Sequence, residues 1–150
     1  MRARTLIVGL MLAAAAAGCG APPAPGTPVT QASACTKENN DQRVSIEGYP
    51  RLSGMTYVSD DFSVDLFEQP QGQGESVSVY IPVGSGANQA ENLPDNYSDD
   101  DLHIHTNTNA VVSTDSHIRV SGTLSWSEPS PGTAVCFVSS VDLIEAVTAS

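Results

Sequence analysis

The stretch Asp-Asn-Tyr-Ser-Asp-Asp-Asp-Leu-His-Ile-His-Thr-Asn, residues 95–107, places four aspartates and two histidines within thirteen positions. On an extended strand alternate side chains share a face, so His103 and His105 have the spacing of two zinc ligands. His117, further along the chain, offers a third, and Asp99 and Asp101 supply nearby oxygens. Against this, Leu102 and Ile104 alternate with the histidines and claim the core side. Both imidazoles then face solvent, with nothing in the sequence to orient them. Calcium is the other metal to weigh, because Asp95, Asp99, Asp100 and Asp101 are hard oxygen ligands in one loop. The EF-hand pattern nevertheless fails: counting from Asp95 or Asn96, no Gly stands sixth and no Glu twelfth. The expectation is a solvated polar rim, with a zinc or calcium site as the alternative.

Other chemistries find less. There is no G-x-S-x-G elbow, no H-E-x-x-H and no phosphate-cradling loop, and Gly84-Ser85-Gly86 reads as a turn. No catalytic residue is expected. The formal charge of −11 argues against nucleic acid, whose phosphates need clustered cations. The basic residues beyond the first four positions are Lys37, Arg43, Arg51 and Arg119, dispersed and without interleaved aromatics; Tyr49, Tyr57 and Tyr80 read as strand and rim residues. A surface this acidic favours cationic ligands or basic partners by long-range attraction.

These residues must be positioned by a chain with a clear beginning. Arg2 and Arg4 precede an apolar run from Leu6 to Ala17, too short to span a bilayer, and small residues lead to Cys19. Ala16-Ala17-Gly18-Cys19 resembles the lipobox of bacterial lipoproteins. That resemblance implies cleavage after residue 18, acylation of Cys19 and anchoring in the cell membrane or the outer membrane. Losing residues 1–18 leaves four basic residues against seventeen acidic ones, a formal charge of −13. Residues 21–34 are uncharged and rich in Pro, Ala, Thr and Ser, so 19–35 reads as a semi-rigid tether.

With Cys19 assigned to lipid, Cys35 and Cys136 remain, and two thiols in an oxidising compartment have one intramolecular pairing. Such a bridge closes a loop of about 100 residues and adds about 4 kcal/mol in the chain-entropy description.

Residues 36–150 read as one domain with a hydrophobic period of two. The apolar alternations are Val44/Ile46, Phe62/Val64/Leu66, Val77/Val79/Ile81/Val83, Leu102/Ile104, Ile118/Val120, Leu124/Trp126, Val135/Phe137 and Val141/Leu143. A short helix is expected over Ala87–Leu93, stopped by Pro94. Gly48 and Gly122 each follow an apolar alternation, as a barrel needs where one strand bends to serve two partners. The order RVSIEG, FSVDLF, SVSVYIPV, an insert, DSHIRVSGTLS and AVCFVSSVDLIEA resembles a bacterial OB-fold. This implies an all-β, five-stranded Greek-key barrel with a short helical or irregular insert before its fourth strand. The rival is an immunoglobulin-like sandwich, but Trp126 stands only ten residues before Cys136, which does not fit that pattern.

The sequence thus reads as a membrane-tethered, non-catalytic binding or assembly module of the cell envelope. Its expected partners are an envelope protein, a peptide or a cationic ligand, with metal binding through the Asp/His cluster as the alternative.

Overall fold

The computed structural model describes residues 21–58, 60–114 and 116–148, without the side chains of 55–58; the expected signal segment and Cys19 lie outside the described residues. Five long strands carry the fold: β2 (Arg43–Val58), β3 (Asp61–Gln69), β4 (Gln73–Pro82), β7 (Ile118–Ser130) and β8 (Thr133–Ala146). Short pieces complete it: β1 (Thr27–Pro28), α1 (Gln31–Ala34), β5 (Ile104–His105) and β6 (Val111–Val112). The long strands form a ring in the order β2-β3-β4-β8-β7 and back to β2, antiparallel except for the parallel pair β4–β8. This single closed sheet is the expected OB-like barrel. The two facing sheets of a sandwich are not what these strands form.

Ring closure depends on the two bends read from the sequence. β2 pairs with β7 from Arg43 to Gly48, then with β3 from Tyr49 onward, so Gly48 stands where the strand changes partner. A Cβ at Gly48 would sit 2.4 Å from the Phe67 carbonyl oxygen, a separation that only a missing side chain permits. At Gly122 the β7–β8 register shifts, and Ser140, opposite the shift, adopts a left-handed φ of 47°.

Side chains alternating inward from these strands fill the barrel. Val44, Ile46, Phe62, Val64, Leu66, Val77, Val79, Ile81, Ile118, Val120 and Leu124 are all essentially inaccessible, each contributing roughly 1.5–3 kcal/mol by leaving water. In the first half of β8 the expected phase is reversed, whereas Val141 and Leu143, beyond the irregularity at Ser140, are buried as expected. Val138 is buried and Cys136 packs on the core, whereas Val135 is 45% exposed and Phe137 stacks outside on Tyr80, ring centroids 4.5 Å apart. The Cys35–Cys136 bond sets this phase, since it takes Cys136 to the side on which the N-terminal segment lies. The Cα atoms of the two cysteines are 5.6 Å apart.

Two expectations are corrected. No helix forms over 87–93. Asn88 takes a φ of 60°, and Ala90, fully buried, bridges Val83 on one side and Ile104 on the other, so the segment runs as extended chain. Helical backbone would have left the carbonyl of Pro82 and the amide of His105 without the partners they have here, Ala90 N–H and Gln89 C=O. The second correction is the tether, which is docked over most of its length. β1 runs parallel to β2, in register Thr27–Val44 and Pro28–Ser45, and α1 buries Gln31 and Ala34. Proline-rich composition read as a spacer, yet the uncovered edge of β2 next to Gly48 offers backbone partners that such a segment can take.

Candidate functional site

The residues weighed as metal ligands are held apart by their own local contacts. Asp99 opens a 3₁₀ turn, Asp99–Asp101, and clamps β2, accepting from Arg51 Nη1 at 2.9 Å and from the Leu52 amide at 3.0 Å. Asp101 closes a capping box instead, accepting from the Ser98 amide at 2.8 Å. His117 stacks on Tyr49, centroids 5.0 Å apart, with Nε2 3.8 Å from Glu47. Asp95 and Asp100 point to solvent.

His103 and His105 do converge, but on Glu91. His105 Nε2 lies 2.8 Å from Glu91 Oε1, and His103 Nδ1 lies 3.5 Å from Oε2. The carboxylate is thereby held below its ordinary range, first by the His105 hydrogen bond and further by His103, against a smaller opposing effect of burial. The short contact makes Nε2 the protonated nitrogen of His105, while Nδ1 is buried without a partner. A metal on Nε2 would move that proton to Nδ1, where no group receives it, whereas ligating histidines regularly donate their second N–H to a partner. Among the described residues no group of three or more His, Cys, Asp or Glu is gathered closely enough to hold an ion. The expected trio His103, His105 and His117 is thus not gathered: His103 and His105 share Glu91, while His117 sits with Tyr49 and Glu47. Glu91, which organises two of the three, carries no sequence signal that would have singled it out.

A different feature is built where the N-terminal segment meets the barrel. Arg43 Nη1 donates to the Ala24 carbonyl at 2.7 Å, Gly26 N–H to Ser121 Oγ at 3.2 Å and Val29 N–H to the Ser45 carbonyl at 3.0 Å. A Cβ at Gly26 would meet the Val44 carbonyl group at 2.4 Å, so glycine is what lets the chain lie this close. Thr30 and Ser33 cap α1 reciprocally, and the buried Gln31 amide donates to the Glu47 carbonyl at 2.7 Å. Between this segment and the barrel runs a groove of about 590 Å³, lined among others by Pro25, Pro28, Val29, Gln31, Glu47 and Arg119.

The charged wall of the groove is a fixed network. Arg119 Nε donates to Glu47 Oε1 at 2.9 Å and Nη1 to Glu145 Oε2 at 3.4 Å. The Glu47 hydrogen bond is the main cause that raises the guanidinium pKa further. Glu47 and Arg119, the charged residues of the lining, neutralise each other, and Glu145 on the far side of Arg119 adds a negative charge next to the groove. The other described arginines are similarly engaged: Arg43 grips Asp142 through two bonds of 2.8 Å, and Arg51 meets Asp99. The groove combines apolar walls of proline and valine with polar groups already satisfied by one another. Such a lining holds a ligand by shape and by field and supplies no activated nucleophile or base.

Among the described residues, no helix is long and apolar enough to cross a membrane. No protein-family model, no curated protein and no solved structure matches the chain, so the argument for function stands on this geometry.

Proposed function

We propose that the chain is a lipid-anchored, non-catalytic binding or assembly module of the bacterial cell envelope, with the groove beside its N-terminal segment as the ligand site. The observation that carries this reading is that one segment serves both purposes: residues that follow Cys19 by only a few positions form one wall of the groove. Ala24, the first residue hydrogen-bonded to the barrel, stands five positions after Cys19. Chain geometry then keeps the groove's entrance within about 18 Å of an acylated cysteine. The groove's size falls within the roughly 300–1,000 Å³ typical of small-ligand sites. The Glu145 carboxylate beside Arg119 and the acidic chain around the groove favour a cationic ligand. With Arg43, Arg51 and Arg119 each neutralised by carboxylates, the surface has little to offer phosphate.

Two measurements test the reading. Wild-type protein from a bacterial host should fractionate with membranes and carry the mass of acyl chains at Cys19, and Cys19→Ser should be soluble. An intact mass without lipid sinks the anchor. For the groove, Pro28→Trp should fill it without disturbing the core, since Pro28 is exposed. Small cations that bind the wild type, found by calorimetric screening of polyamines and amino sugars, should bind this variant at least about tenfold more weakly. Unchanged affinity would remove the groove from the proposal.

A further inference from the structure

The barrel closes unevenly between β4 and β8. These strands run parallel and pair at two positions, Ser78 with Phe137 and Val79 with Val138. Beyond Val79 and Val138, the insert between β4 and β7 fills the gap between their edges. Ala90 N–H donates to the Pro82 carbonyl and Gly84 N–H to the Ala90 carbonyl. On the β8 side, Ile144 N–H donates to Asn88 Oδ1 at 2.7 Å, Asn88 Nδ2 donates to the Asp142 carbonyl at 3.1 Å, and Asn107 N–H donates to the Ile144 carbonyl at 2.7 Å. Extended, irregular chain thus satisfies both strand edges at this end.

At the opposite end the strands part, and no described segment takes the same place. From Gln73 to Val77, β4 pairs with β3, and from Thr133 to Cys136, β8 pairs with β7. Among the described residues, neither Gln73–Ser76 nor Thr133–Val135 has a backbone partner on its other side. Gln73–Ser76 and Thr133–Val135 are exposed, and Val135 is one of few large apolar side chains open to solvent. Behind the gap, α1 packs against β4 and the Cys35–Cys136 bridge holds β8, so the split is fixed by covalent and packed structure. Unpaired parallel edges held apart in this way are a template for an added strand.

The local charge selects the occupant. Glu75 is exposed on β4, and Glu68 on β3 and Glu128 on β7 are exposed one strand further out; no Lys or Arg lies between Arg51 and Arg119 or after Arg119, and the one described lysine, Lys37, follows Cys35. A second copy would bring the same acidic border against it. We infer that the open half of the β4–β8 seam binds an extended, basic peptide segment by strand addition. This rests on the reading as a binding or assembly module and names a partner class for a surface separate from the groove.

The test uses the full chain in non-ionic detergent and three ten-residue probes: alternating Val and Lys, alternating Val and Glu, and the Val/Lys peptide N-methylated at every second residue. Fluorescence anisotropy gives affinity, and amide hydrogen exchange gives location. The Val/Lys peptide should bind and slow exchange at 73–76 and 133–135 by about tenfold or more. The Val/Glu and N-methylated peptides should bind at least about tenfold more weakly, the first through charge and the second through lost main-chain bonds. Glu68→Lys with Glu75→Lys, both surface positions, should reverse the preference between the Lys and Glu probes. Pro28→Trp should leave all of this unchanged, which separates failure of the groove from failure of the seam. The inference is overturned by absence of binding, by equal binding of the N-methylated probe, or by protection located elsewhere. Protection of the seam that grows with protein concentration in the absence of peptide would also overturn it, because the occupant would then be a second copy.

Discussion

Replacing Cys35 and Cys136 by serine removes a cross-link between residues 101 apart. In the chain-entropy description, a loop of this length withholds about 16 cal/mol/K from the unfolded ensemble, or about 4.7 kcal/mol at 25 °C. Native contacts add little, because Cys35 is exposed and Cys136 only partly buried against the core. Near the midpoint, 1 kcal/mol lowers Tm by about 4 °C for a domain of this size, so the double variant should melt about 15–20 °C lower. Circular dichroism melts of the full chain in detergent read this directly, and wild type melted with excess reductant should superimpose on the variant. Hydrogen exchange is a second readout. Amides of Ile46 and Leu124, which exchange by global opening, should lose protection in step with the fall in stability. A fall of less than about 5 °C, or unchanged protection of these core amides, would refute the reasoning that the bridge acts through the unfolded chain.

Three further outcomes are expected. Gly48→Ala places a methyl 2.4 Å from the Phe67 carbonyl oxygen and should cost about 2–3 kcal/mol in urea denaturation, with the strand bend disturbed. Asn88→Ala removes both side-chain bonds to β8 and leaves alanine at a φ of 60°, for a loss of about 2–3 kcal/mol by the same measurement. Glu91 has a folded pKa depressed below its unfolded value, so its contact with His105 and His103 stabilises fully above the ordinary carboxylate range and fades as pH falls through the folded value. Tm followed from pH 7 to pH 3 should therefore fall less steeply on the acid side for Glu91→Gln than for wild type, the two curves converging at the acid end.

Much of the barrel was legible in the sequence because its strands bury one face each. Val44/Ile46, Phe62/Val64/Leu66 and Val77/Val79/Ile81 keep a strict period of two, and all are buried. Gly48 was legible because a glycine after such an alternation has few other reasons to be there. Val141/Leu143 on β8 are buried as their alternation indicates, but the phase of the strand's first half is not legible, because Val135 and Phe137 are as apolar as Val138. A disulfide to Cys136 and a stacking partner at Tyr80 decide which set faces inward, and both lie far away in sequence. The segment 87–93 has helical composition, yet open strand edges at Pro82 and Ile144 draw it into extended chain, a demand that local sequence does not display. The candidate site suffered most. His103 and His105 share a face as alternate strand residues do, but their common partner Glu91 arrives through the bridge between Ala90 and Ile104. The groove depends on a proline-rich stretch whose docking uses main-chain bonds, and composition carries no mark of those.

The short β1–β2 pairing followed by the bridge at Cys35 also determines how the protein answers a pull on its N-terminus. Tension entering at Ala24 meets first the Arg43 contact, then the few main-chain bonds of β1, and these unzip one at a time from the end. The path then reaches Cys35, where the covalent bond passes the tension to β8 and spares β2. Residues 24–34 can therefore reach at most roughly 35–40 Å from Cys35 before a hard stop. If Cys19 is the anchor, the domain has two standing heights above its membrane: close when the segment is docked and the groove has both its walls, and extended when the segment is drawn out and one wall is gone.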